Sequence, residues 1–252
     1  MKLRQKTILI TGASSGIGRE LALQLSRGDN NLIVTARREP LLEQLAEEIE
    51  ANGSRCTVCA ADAIDVDQCR SVVDAGIAAH GPIDVAILNA GGGKAMTMAE
   101  ASAADVLHIM RTNYDTFVNF LCVMIEHMSG RESVIAYTGS PAGYFGLPKS
   151  GPYSAAKAAG RVLFDTCRIE LADSGIRFVA LYPGFTHTDG LDPDDVPLKA
   201  LIINKDRAAR EMLRAIEKRR SHHMFPKRIK WLMTLARLLP EPLRRRLLGM
   251  AG

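Results

Sequence analysis

Tyr153 and Lys157 stand four residues apart in Gly151-Pro152-Tyr153-Ser154-Ala155-Ala156-Lys157. Pro152 suits a first helical turn, and in a helix the two side chains share a face. A nearby ammonium stabilises phenolate and lowers the tyrosine pKa towards a range useful for proton transfer. Taken alone, Tyr-x-x-x-Lys arises often by chance. Ser140 follows an apolar β-rich run, where its hydroxyl can hold a substrate oxygen. Asn113 lies inside a long helical pattern, and an exposed helix asparagine is its plain reading.

A second cluster is Thr11-Gly12-Ala13-Ser14-Ser15-Gly16-Ile17-Gly18, set between a strand-like run and a helical pattern. Glycines allow a tight turn and close approach of phosphates to the backbone. The helix N-terminus then offers free N–H groups and positive dipole character. The spacing Gly-x-x-x-Gly-x-Gly in this context points to dinucleotide binding. In such folds an acid about 20 residues past the turn holds the ribose 2′-hydroxyl of NAD, whereas arginine suits the 2′-phosphate of NADP. Here the second strand ends Thr35-Ala36-Arg37-Arg38, with Ala36 where an acid is expected. Guanidinium forks onto phosphate. NADP(H) is therefore favoured, with NAD(H) as the alternative.

The elements that must position these residues alternate. Thr7–Thr11, Leu32–Ala36, Thr57–Ala60, Asp84–Asn89, Ser133–Thr138, Arg177–Tyr182 and His222–Pro226 read as strands. Helical patterns cover Ile17–Arg27, Leu41–Ala51, Val66–His80, Ala103–Met128, Tyr153–Ser174 and Asp206–Arg219. This predicts an α/β chain, a Rossmann-type doubly wound parallel sheet of seven strands in a three-layer αβα sandwich, in order 3-2-1-4-5-6-7. Residues 1–226 form one catalytic domain. Residues 227–252 form a basic helical extension, either part of that domain or peripheral to it. The stretch Thr186–Lys205 reads as a loop over the site. Phe185 just before it, with Leu191, Val196, Pro197 and Leu198 within it, implies a partly apolar pocket.

Apolar residues make up 47 % of the chain, enough for a sizeable core, and aromatics only 5 %, which disfavours base-stacking platforms for nucleic acid. The charge is uneven: Lys218–Arg246 holds ten basic residues and one acid, Glu241, so the remainder is net acidic. The five cysteines lack framework spacing and suit a reducing compartment. Cys56 and Cys59 fall in a strand, where residues three apart face opposite ways, so a metal pair is not expected. A polar Met1–Lys6 and no apolar run of spanning length predict a cytoplasmic protein. In the tail, Lys227, Lys230, Thr234 and Arg237 form a narrow cationic stripe on an otherwise apolar helix. The expectation is that this helix packs on its own sheet or a partner subunit. The sharper alternative is peripheral contact with the inner face of a membrane.

The ordered set of motifs resembles the short-chain dehydrogenase/reductase family along nearly the whole chain. It comprises Thr11-Gly12-x-x-x-Gly16-x-Gly18, Asp62, Asn89-Ala90-Gly91, Asn113, Ser140, Tyr153-x-x-x-Lys157, and Pro183-Gly184 followed by Thr188. The resemblance implies a catalytic tetrad of Asn113, Ser140, Tyr153 and Lys157. Tyr153 would move the proton, and Asn113 would support a relay through Lys157. It implies cofactor contacts from Gly12, Ser14, Ser15, Gly16, Ile17, Gly18, Arg37, Arg38, Asp62, Ala63, Asn89, Ala90, Gly91, Tyr153, Lys157, Pro183, Gly184, Thr186 and Thr188. The chain departs from the family at Ser15, where many NADP-using members carry a basic residue, and at the extra Gly92-Gly93. The expected activity is hydride transfer between nicotinamide and a ketone, aldehyde or secondary alcohol. The small-molecule substrate is expected to be apolar, nucleic acid is not a partner, and a homodimer or homotetramer is expected. The competing reading is a dinucleotide-binding regulator or membrane-surface protein with little turnover; a binding module has no need of Ser140, Tyr153 and Lys157 together.

Overall fold

In a computed structural model, residues 1–93, 95–187 and 202–249 are described. The chain begins β1 (Thr7–Thr11), α1 (Gly16–Leu25), β2 (Asn31–Ala36), α2 (Glu39–Ala51), β3 (Arg55–Ala60), α3 (Val66–His80) and β4 (Val85–Leu88). Next comes α4 (Ala103–Met110), running through a π-helical turn (Arg111–Asp115) into α5 (Thr116–Met128). Then follow β5 (Ser133–Thr138), a 3-10 turn (Pro141–Tyr144), α6 (Gly151–Glu170), β6 (Ile176–Pro183), β7 (Thr186–His187), β8 (Ile203–Asn204), α7 (Lys205–Glu217), β9 (His222–Phe225), α8 (Lys227–Leu238) and α9 (Glu241–Gly249).

Seven parallel strands form one sheet in the order β3-β2-β1-β4-β5-β6-β9, the order expected from sequence with β9 as the seventh strand. Strand alternation divides the core. Ile8, Ile10, Val85, Ile87, Val134 and Ala136 point to one face, where α1, α2 and α7 bring Leu21, Leu42, Leu45 and Met212. Leu9, Ala86, Leu88, Ile135 and Tyr137 point to the other, against Val72 and Val73 of α3, Phe117 and Phe120 of α5, and Phe164 of α6. Cys56 packs with the first cluster and Cys59 with the second, so they do face apart. Local sequence fixes several helix starts. Asp65 accepts from the N–H groups of Asp67 and Gln68 at the head of α3, and Ser102 with Asp105 forms a capping box at the head of α4.

Two features differ from the sequence reading. The single helix expected over Ala103–Met128 is divided by the π turn, in which Thr116 N–H reaches the Arg111 carbonyl five residues back. The stretch expected to be irregular from Thr186 is closed at its base by β7 pairing parallel with β8; Leu191, Val196, Pro197 and Leu198 lie outside the described residues. The sheet reverses its winding between β1 and β4, which pair directly. Open α/β sheets carry their ligand crevice outside the strand ends at such a switch point.

Candidate functional site

At the carboxyl end of β1, Thr11 is buried, and its hydroxyl accepts from Asn89 N–H (2.9 Å) and Ala90 N–H (3.0 Å) just after β4. This tie brings the glycine turn against Asn89-Ala90-Gly91. The sequence quotes Thr11 in a motif but assigns it no such role. Gly12 has φ +67°, and a Cβ there would lie 2.9 Å from Ala90 Cα; a Cβ on Gly18 would lie 2.2 Å from the Gly12 carbonyl oxygen. Side chains at either position would fill the cradle between turn and helix. Ser15 is the N-cap of α1 but its side chain does not cap, and the first turn holds no acid. The helix end therefore keeps N–H groups and positive dipole character for an anion. Its hydroxyl is taken instead by Arg38, whose guanidinium donates to Ser15 Oγ (2.7 Å) and Ser14 Oγ (2.9 Å). Arg37 is exposed, with no hydrogen bond to the turn among the described contacts. The residues present thus fit a dinucleotide: a glycine cradle, an uncapped helix end and a guanidinium held over the turn.

Asp62 and Ala63 follow β3. Asp62 Oδ1 accepts from Ile64 N–H, and the Ala63 carbonyl accepts from Asn119 Nδ2 at 3.0 Å, which fixes this edge to α5. On the far side, Pro183 ends β6 and Gly184 N–H donates to the Phe225 carbonyl at 2.8 Å. Thr186 is buried and donates to the Gly184 carbonyl at 3.0 Å. Thr188 lies outside the described residues. Ile17 is half-buried in the first turn of α1.

Ser140, Tyr153 and Lys157 come together where β5 ends and α6 begins. Ser140 caps the 3-10 turn by accepting from Ala142 N–H at 3.2 Å, and its hydroxyl favours the ionised form of the Tyr153 phenol. Lys157 is buried, 4 % exposed, and its Nζ donates to the Thr138 carbonyl at 3.0 Å. Nζ lies 5.7 Å from the centre of the Tyr153 ring. Burial raises the phenol above its ordinary pKa, an effect that the Ser140 hydroxyl only partly opposes. This corrects the expectation that the ammonium lowers Tyr153 in the free protein. The lysine is turned to a backbone carbonyl, and burial pulls its own pKa down to about 8. A phenol so placed is held protonated and is suited to donate a proton.

Asn113 is not the exposed helix residue of the plain reading. It is fully buried in the π turn. Its Nδ2 donates to the Gly92 carbonyl (2.6 Å) and the Ile109 carbonyl (3.0 Å), while its Oδ1 accepts from Gly92 N–H (3.0 Å). The side chain thereby clamps both backbone groups of Gly92. π turns recur at functional sites, where they redirect side chains out of the regular helical ladder. Between this clamp and the lysine sits Gly91, φ +146°. A Cβ there would lie 2.7 Å from Asn113 Oδ1 and 3.3 Å from Lys157 Nζ.

The short chain dehydrogenase family profile matches residues 6–195, and the chain belongs to that family of nicotinamide-dependent oxidoreductases. An uncharacterized oxidoreductase of Myxococcus xanthus is 29 % identical over 96 % of this chain and 96 % of its own length. An 11-beta-hydroxysteroid dehydrogenase of Pinus massoniana is 33 % identical over 73 % of this chain, which spans only 52 % of that relative's length. Among solved structures, a short chain dehydrogenase/reductase from Burkholderia phymatum in complex with NAD superposes with a TM-score of 0.86, at 23 % identity, covering 94 % of each chain.

The geometry at Gly91 generates a test. Gly91→Ala is expected to cost about 1–3 kcal/mol of stability through strain and displacement of Asn113 or Lys157. Gly146→Ala, whose Cβ would meet nothing within 4 Å, is expected to change stability by less than about 0.5 kcal/mol. Thermal unfolding of the two variants reads the difference; equal melting temperatures would contradict this packing.

Proposed function

We propose that this protein interconverts an apolar ketone or aldehyde and the corresponding alcohol, with NADP(H) as the preferred cofactor. The observation that carries this reading is the convergence of Ser140 and Tyr153 with buried Lys157, whose Nζ lies 5.7 Å from the centre of the Tyr153 ring. When bound, the nicotinamide supplies or accepts the hydride. Ser140 holds the substrate oxygen, and Tyr153 delivers a proton to it during reduction or removes one during oxidation. Lys157 holds the nicotinamide-side ribose and favours the ionised form of Tyr153 once proton transfer begins. Asn113 acts by fixing Gly92, and through it the strand edge beside Lys157. Gly12–Gly18 would cradle the pyrophosphate, Asp62 and Ala63 the adenine, Asn89–Gly91 the adenosine side, and Pro183, Gly184 and Thr186 the carboxamide.

Arg38 supports the NADP preference. It already reaches the turn, so a 2′-phosphate replaces two serine hydroxyls with a charged acceptor. Similarity to a relative named for an 11-beta-hydroxysteroid supports an apolar alcohol–ketone pair. A homo-oligomer fits the exposed apolar residues Leu107 of α4 and Val162 and Ile169 of α6.

Three outcomes test this function. Tyr153→Phe is expected to abolish turnover, by a hundredfold or more on the scale of about 10²–10⁴ for positioned proton transfer, while dinucleotide affinity survives. Screening NADPH oxidation against aliphatic, aromatic and steroid ketones supplies the substrate, and near-normal turnover by Tyr153→Phe removes the mechanism. Calorimetry is expected to show NADPH binding about tenfold or more tighter than NADH, since a charge-assisted bond contributes about 1.5–3 kcal/mol. Ala36→Asp should reverse that order, and equal affinities in the unmodified protein contradict the role of Arg38. The third outcome is a pH dependence. Lys157 has its pKa depressed to about 8, so it is cationic below that pH and loses its charge as pH rises through it. Dinucleotide affinity is expected to weaken above about pH 8 in the unmodified protein and to lose this dependence in Lys157→Met.

A further inference from the structure

The tail carries two apolar faces. On the inner side of α8, Ile229, Met233 and Ala236 are buried among Phe145, Leu147, Phe185 and Met224. On the outer side Trp231, Leu235 and Leu238 are 74 %, 50 % and 78 % exposed. Spaced four and three residues apart, they make one stripe along the helix. Leu243 of α9 is also exposed. Packing on the body accounts for the inner face and leaves the outer one unexplained. Single exposed apolar residues are ordinary, but an aligned set is not.

The charges around this stripe identify its partner. Lys227, Arg228 and Lys230 of α8 and Arg245 and Arg246 of α9 are exposed; α8 has no acid, and Glu241 is the one acid of α9. Long basic side chains can lay their stems beside an apolar face and place their charges at its rim. A symmetric contact with a second copy would press this cationic rim against its own duplicate. An anionic lipid surface satisfies both the apolar stripe and the rim. No helix among the described residues is long and apolar enough to cross a membrane, so contact of this face with lipid would be interfacial.

We propose that the outer face of α8 and α9 docks the protein on an anionic lipid surface, and that its carbonyl substrate is drawn from that lipid. The second clause rests on the function proposed above. The inner face of the tail supports it. The Arg237 guanidinium lies 5.9 Å from the centre of the Tyr144 ring, in the turn that follows Ser140, and that of Arg244 lies 5.8 Å from the ring of Phe145, the residue after that turn. A Cβ on Gly184 would be 3.0 Å from Ile229. The helix that meets lipid therefore also braces two segments bordering the site, so an apolar substrate leaving the acyl boundary reaches the site close by.

Trp231 is the only tryptophan, so its emission reports directly on the stripe. The full chain is mixed with phosphatidylcholine vesicles, with and without phosphatidylserine, at low and high salt. The expected result is a blue shift of Trp231 emission and co-sedimentation with phosphatidylserine vesicles, both weakening with salt. Trp231→Ser/Leu235→Ser/Leu238→Ser alters only exposed side chains and should keep its melting temperature and dinucleotide binding while vesicle affinity falls about tenfold or more. Lys227→Gln/Arg228→Gln/Arg245→Gln/Arg246→Gln should abolish the preference for phosphatidylserine. Absence of vesicle binding, or unchanged binding by the triple variant, overturns the docking. So does a blue shift that grows with protein concentration without lipid, which assigns the stripe to a second copy. These readouts need no turnover. An active protein that ignores vesicles sinks the docking, and the lipid source of the substrate with it, and leaves the oxidoreductase reading; an inactive protein that binds them sinks the oxidoreductase reading and the lipid source, and leaves the docking.

Discussion

Lys157 places an ammonium in an interior that disfavours charge, and its described hydrogen-bond acceptor is one backbone carbonyl, that of Thr138. Much of the site's architecture serves that placement. The end of β5 must present the carbonyl, and the first turns of α6 must present the lysine to it. Gly91 must lack a side chain, because a Cβ would press on both Asn113 and Lys157. The π turn puts Asn113 where its amide holds Gly92, which keeps the Gly91 backbone at that distance. A buried cation near pKa 8 is poised between charged and neutral forms. Groups in that condition are suited to proton movement and are costly to maintain for stability alone.

The second constraint is the junction of β1 and β4. One threonine hydroxyl, that of Thr11, joins the two strand ends and sets the glycine turn beside Asn89 and Ala90. The uncapped start of α1 and the guanidinium of Arg38 then lie on the same edge as Ser140 and Tyr153. Binding of a dinucleotide and chemistry at a carbonyl are thereby held by one sheet edge. Adjacent strand ends, rather than a mobile domain, set their relative position.

Much of this was legible in the sequence, for identifiable reasons. Buried parallel strands read as apolar runs, so all seven main strands and their order could be expected, although β4 proved shorter, ending at Leu88. The glycine turn announces itself because only glycine tolerates the approach seen at Gly12 and Gly18. Other features leave no compositional trace. A π turn shifts the hydrogen-bond ladder by one residue without altering apolar periodicity, so Asn113 read as a surface residue unless the family pattern was invoked. The sequence put Arg37 first and Arg38 second, whereas Arg38 is the one that meets Ser14 and Ser15, a choice of side-chain placement that two adjacent arginines do not encode. The direction of the Tyr153 pKa depends on burial, which a four-residue spacing does not encode. On α8, the cationic stripe was visible, but which apolar side would be covered was decided by packing against Phe145 and Phe185.

The most direct measurement of the central claim follows the hydrogen itself. A ketone that supports turnover is reduced in ordinary water with NADPH deuterated on the transferable face of nicotinamide C4, and the alcohol is analysed by NMR. Direct hydride transfer with a proton delivered by Tyr153 predicts deuterium on the carbinol carbon and exchangeable solvent hydrogen on the oxygen. An alcohol whose carbinol hydrogen comes from solvent, with the deuterium retained on nicotinamide or lost to water, would contradict the account.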